Sequence, residues 1–139
     1  SLKKLELKDD KIEDYYHQSH KLGIVPKNLN KLKNKLFGIE CNFEELNGID
    51  FRKGCYVGQE NTARIKLKDK LNKRLFAVKV QEGEITSDEI TSDNKNIGKL
   101  LINNENPFAL LKLENKKFNF GADLKCGDAK IKALKPNWL

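Results

Sequence analysis

The chain has 139 residues, 38% of them hydrophobic and 34% charged, with a formal net charge of +7. That length buries the core of one ordinary domain or two small ones, and no apolar run approaches the roughly 18 residues of a membrane span. The charge comes from 24 lysines against three arginines, with 15 asparagines beside them. This is a compositional drift toward a solvated surface, because bidentate reading of phosphate or guanine favours arginine.

Residues 10 to 22 are predicted to form a helix. Asp10 and Glu13 make a capping-box pattern, Ile12, Tyr15, Tyr16 and Leu22 recur near helical spacing, and Gly23 then Pro26 stop it. His17 and His20 share a face, but two histidines without a third ligand read as polar surface rather than a metal site. A second short helical pattern carries Leu29, Leu32, Leu36 and Phe37 before Gly38. Asn42 and Glu45 then suggest a capped turn, and Asn47-Gly48 a tight one.

From about residue 62 the character changes to short β-prone runs: "TARIKL", "RLFAVKV", "NIGKLLI", "FALLKL" and "AKIKALK". Gly83, "SDNKN", "NNENP" and "KCGD" break them. Turn-bounded strands with no helix among them predict a small antiparallel barrel or sandwich. The boundary is expected near 66–73, giving a mixed α/β part over 1–68 and an all-β part over 69–139.

Cys41, Cys55 and Cys126 include no C-x-x-C pair, so no stable metal site is expected, and their odd number without a signal segment argues for reduced thiols in the cytoplasm. Methionine is absent even at position 1, so the chain is expected to be a piece of a longer protein.

Cys55 has the most unusual surroundings, "FRKGCYVGQE" over 51–60. Gly54 and Gly58 bracket the thiol, and glycine serves φ > 0 or close backbone approach. Such a loop displays a side chain rather than packing it. Arg52 and Lys53 are neighbouring cations that favour the thiolate, while Gln59 and Glu60 add an amide and a carboxylate. The bland alternative is a small buried cysteine in a glycine-rich turn. No histidine base is near in sequence, so a cysteine-protease mechanism has no support.

"KGCYVGQE" resembles the hallmark motif of the YgfZ family, folate-binding proteins tied to iron–sulfur enzyme maintenance and tRNA modification. "ECNFEELNGIDF" resembles that family's lead-in and "KRLFAV" the start of its C-terminal barrel. "NIGKLLI", "FALLKL" and terminal "KPNWL" resemble later barrel strands. The similarity spans about 12–139 and lacks the family's N-terminal half. The family's relatives are the glycine-cleavage T-protein aminomethyltransferases, which carry Asp-Phe where Cys55-Tyr56 stands and Lys or Arg at Gln59.

The resemblance implies an α+β chain, the C-terminal part of an aminomethyltransferase-like, folate-binding fold that ends in a small antiparallel β-barrel. It implies an accessory protein for iron–sulfur cluster assembly or repair, linked to tetrahydrofolate, with indirect effects on tRNA modification. Its partners would be iron–sulfur assembly proteins or client iron–sulfur enzymes, with no direct nucleic-acid binding and no membrane. Cys55 would be redox-active or a transient cluster contact, since thiolates are the natural cluster ligands. Lys53 would support its charge, Gly54 and Gly58 would shape the loop, and Tyr56, Gln59, Glu60 and Arg64 would line or brace it. Lys21 aligns where relatives carry a pterin-contacting glutamate, and lysine can only donate, so weak folate binding is expected. Glu40 matches a family glutamate. The competing readings are a folate-dependent aminomethyltransferase and an RNA-binding barrel whose aromatics take single strands.

Overall fold

The structure, a computed structural model, describes residues 11–54, 57, 60–67, 71–115 and 117–139. It is an α+β chain. Helix α1 (Ile12–Lys21), three short 3-10 turns and helix α2 (Glu60–Leu67) precede six strands. The strands are β1 (Lys73–Glu82), β2 (Ile85–Ser92), β3 (Lys95–Ile102), β4 (Phe108–Lys112), β5 (Leu124–Gly127) and β6 (Ala129–Ala133). All neighbours are antiparallel and the sheet closes in the order β1-β4-β3-β2-β5-β6. Closure leaves no unpaired edge.

The residue patterns show which wall of the barrel is covered. In β5 and β6, buried Leu124, Cys126, Ala129, Ile131 and Ala133 alternate with exposed Lys125, Lys130 and Lys132, as on a sheet with one wet face. In β1 and β4 the buried runs "RLFAV" and "FALL" do not alternate, because both faces are covered. Phe76, Val78, Ala109 and Leu111 fill the interior. Leu75, Ala77, Phe108 and Leu110 point outward into a second core closed by Leu32, Val25, Leu36 and Cys41 of the N-terminal segment.

Glycine is required at two close approaches. A Cβ on Gly98 of β3 would strike Leu110 O and lie 2.7 Å from Leu111 Cδ2. Gly83 (φ +77°) opens the β1–β2 turn, where a Cβ would lie 2.6 Å from Asp128 O. The β2–β3 hairpin turns on Asp93 and Asn94, both at positive φ, within the "SDNKN" break.

Several sequence expectations change. "TARIKL" lies in α2, not in a strand: Glu60 opens the helix, Arg64 and Lys66 occupy its last turn, and tertiary packing overrides the β-branched Thr62 and Ile65. β2 was not legible, because only Ile85 and Ile90 mark an otherwise polar strand. "KCGD" is not a simple break: Lys125 to Gly127 belong to β5, and the turn lies at Gly127-Asp128. "KPNWL" follows β6 outside any strand.

Helix α1 has Lys11 as its N-cap without a side-chain hydrogen bond, and Asp10 lies outside the described residues. Its end follows the sequence reading. Gly23 (φ +72°) donates to His20 O and Ile24 N to Ser19 O, closing a Schellman motif. The buried residues of α1 are Ser19 and His20, whereas Ile12 and Tyr15 are exposed, because the C-terminal end of the helix is what meets the barrel. The second helical pattern is reduced to the 3-10 turn Leu29–Leu32. Asn42 caps nothing with its side chain; it is fully buried and its amide donates to Leu75 O at 2.9 Å.

Candidate functional site

The motif loop runs from a 3-10 turn (Phe51–Lys53) to α2. Asp50 caps that turn by accepting from Arg52 N at 2.9 Å. Gly54 ends it at φ +83°, ψ 178°, with nothing among the described residues within 4 Å of a would-be Cβ. Glycine is needed here for backbone conformation and not for space. Val57 is fully exposed. Glu60 stands in the first turn of α2, where a carboxylate suits the helix dipole, and Arg64 is exposed four residues on.

Of the predicted loop residues, Lys53, Gly54, Glu60 and Arg64 are described; Cys55, Tyr56, Gly58 and Gln59 lie outside the described residues. The cation argument is modified at Arg52. Its Nε lies 3.4 Å from Asp50 Oδ1, so part of its charge is answered by a carboxylate two residues away.

Both flanks of the loop are tied to the barrel through one acidic doublet. Glu44 accepts from Lys66 Nζ of α2 at 2.6 and 2.7 Å. Glu45 pairs with Arg74 of β1 at 2.6 Å, and the Arg74 side chain is nearly buried. The turn presenting the doublet closes through Asn47 (φ +58°) and Gly48, as the Asn-Gly pair predicts. Glu40 accepts from Phe37 N at 2.8 Å and so caps its own turn.

The other two cysteines have higher pKa values. Burial and the neighbouring Glu40 push Cys41 up to about 11. Cys126 is buried inside the barrel, its Sγ 2.9 Å from Ser87 O, and burial then Asp88 raise its pKa. Both are free thiols. Among the described residues no group of three or more His, Cys, Asp or Glu side chains could hold a metal. No described helix is long and apolar enough to cross a membrane.

The two histidines do not act as a surface pair. His20 is 6% exposed, its Nε2 2.9 Å from Pro107 O, and its ring meets Phe108 edge-on at 5.1 Å. Trp138 Nε1 donates to Leu22 O at 2.9 Å, so the last residues grip the end of α1. Sequence reasoning missed both anchors, since their partners are backbone carbonyls 87 and 116 positions away. Lys21 is exposed in the last turn of α1.

Residues 72–139 match the family model described as the CAF17 C-terminal beta-barrel domain. Curated relatives include the mitochondrial iron–sulfur cluster assembly factor IBA57 homolog of Dictyostelium discoideum, 32% identical over 66% of this chain and 22% of that protein. The mouse IBA57 is 36% identical over 50% of this chain and 20% of its own length. The human protein is 42% identical over 46% of this chain and 18% of its own length. The matched segments thus span about a fifth of these relatives. These relatives are IBA57 proteins, kin of YgfZ within the same aminomethyltransferase-like family, and they agree with a C-terminal part; all three are named mitochondrial, which overturns the cytoplasmic expectation. Residues 72–139 therefore form a six-strand antiparallel β-barrel of the CAF17 C-terminal type.

Proposed function

We propose that this chain belongs to a factor for iron–sulfur cluster assembly, working with assembly proteins or client enzymes in a mitochondrial setting. The observation that carries the reading is the similarity, at 32–42% identity, to relatives named for that role. Cys55 is the proposed cluster-contacting thiolate. Cys126 is buried in the barrel and Cys41 is held protonated near neutral pH by burial and Glu40, which leaves Cys55 as the thiol suited to iron. Lys53 supports its charge and Gly54 and Gly58 set the loop path. Tyr56, Gln59, Glu60 and Arg64 flank it. One thiolate holds a cluster only with ligands from a partner, so the contact is transient. Effects on tRNA modification follow through client iron–sulfur enzymes.

Tetrahydrofolate would be held weakly by this part of the protein. At the aligned pterin position Lys21 is exposed and can only donate, where the ring's N–H groups need an acceptor.

The test is complementation of cells lacking their own relative, using the full-length protein and reading iron–sulfur enzyme activities. Wild type and Cys41→Ala should restore them and Cys55→Ala should not. Restoration by Cys55→Ala would refute the thiolate role.

A further inference from the structure

Lys66 of α2 reaches beyond its own helix. Its Nζ lies between both carboxylate oxygens of Glu44, at 2.6 and 2.7 Å, and 5.7 Å from the centroid of the Phe51 ring. Phe51 opens the 3-10 turn that enters the motif loop, and Lys66 stands in the last turn of the helix that leaves it. One ammonium therefore joins the two described ends of the loop to a third element, the turn carrying Glu44.

That third element is the fixed one. Asn42, fully buried, donates to Leu75 O of β1, and Glu45 pairs with the nearly buried Arg74. Glu44 lies between these two anchors, so the turn that carries its carboxylate is fastened to the barrel. Helix α2 needs such support, because eight residues are too few for a helix to persist by itself in water. Ile65 lines a cavity of about 170 Å³ with Ile39 and Leu71, and Lys66 supplies the polar tie beside it. The Lys66 and Glu44 side chains are 48% and 32% exposed, so a lone ion pair here would contribute little. Its weight comes from the double bond to one carboxylate and from the ring on the other side.

We propose that Lys66 is a positioning residue of the motif loop, holding its exit helix and its entry turn at one separation through Glu44. Residues 54–59 then close a fixed gap, and a short loop with fixed ends samples fewer conformations. The functional consequence rests on the reading of Cys55 as the cluster-contacting thiolate; the clip between the two loop ends does not.

Alkylation of Cys55 is followed by mass spectrometry across pH in the 139-residue chain, for wild type, Lys66→Gln, Glu44→Gln and Lys66→Arg. The two neutral variants separate a clip from a charge. If Lys66 acts on the thiol only through its field, removing the cation moves the alkylation midpoint up and removing the Glu44 anion moves it down. A clip is broken by either change, so both should move the midpoint in the same direction. Amide exchange should then quicken about threefold at 51–53 as well as at 60–66. Lys66→Arg keeps the charge and can donate to both oxygens, so it should stay within about twofold of wild type. Midpoints that part in opposite directions would overturn the proposal, as would faster exchange confined to 60–66 or unchanged exchange in both neutral variants. In the full-length protein, Lys66→Gln should lower the iron–sulfur enzyme activities restored by complementation, and Lys66→Arg should recover them. Undiminished activity of Lys66→Gln, where Cys55→Ala is inactive, would overturn the positioning role. Activity of Cys55→Ala would remove the cluster reading instead, with exchange at the two loop ends still deciding the clip.

Discussion

His20 is the ionisable anchor between α1 and the barrel, and its protonation should be visible in folding stability. Its pKa is lowered, first by burial and further by the charge of His17, against the raising effect of its backbone partners Pro107 and Val78. The folded state therefore binds the proton less readily than the unfolded chain, whose histidine titrates near 6.5. Stability contributed by neutral His20 is fully present above about pH 6.5 and is lost as pH falls toward the lowered folded value. One group sets a ceiling of about 1.4 kcal/mol per pH unit. The bond from Nε2 to Pro107 O survives in either charge state, so the loss reflects charging a ring packed against Phe108. His20→Ala removes a hydrogen bond and an edge-on aromatic contact and strands a carbonyl, together about 2–4 kcal/mol. His20→Gln places an amide donor near the same carbonyl without titrating, so it should cost only about 1 kcal/mol. Urea unfolding followed by circular dichroism between pH 5 and 8 measures all three. The difference between wild type and His20→Gln should shrink as pH falls. A pH-independent difference would refute the reasoning, because it would mean that His20 titrates normally in the fold.

Three further outcomes are expected. Gly98→Ala should be among the most damaging single changes, about 3 kcal/mol or more by thermal unfolding, because its Cβ would strike Leu110 O and Leu111 across the β3–β4 pair. Gly54→Ala should cost about 1–3 kcal/mol from its positive φ, since no atom of the described residues stands in its way, and a neutral result would place φ outside that region. In alkylation followed by mass spectrometry across pH, Cys41 should react slowly until the pH nears about 11, Cys126 should need a higher pH than a free thiol, and Cys55 should react first. If Cys55 is the slowest, the displayed-thiolate reading fails.

Much of the β half is legible in the chain itself. "RLFAV" and "FALL" are continuous apolar runs, the mark of strands covered on both faces, and "AKIKA" alternates, the mark of a strand with one face in water. The end of α1 at Gly23, the Asn47-Gly48 turn and the break at Asp93-Asn94 follow from local backbone chemistry, which needs no distant partner. The motif around Cys55 is readable for the same reason: its glycines and cations lie within ten positions. What the tertiary structure alone decided is everything whose partner lies far away. "TARIKL" has strand-prone residues yet forms α2 beside Glu44, and β2 carries too few apolar residues to announce itself until its neighbours pair with it. His20, Arg74 and Trp138 look like ordinary polar or terminal residues in the sequence. They become the clamps of the fold because closing the barrel brings Pro107 O, Glu45 and Leu22 O to them, and burial there makes each polar contact obligatory.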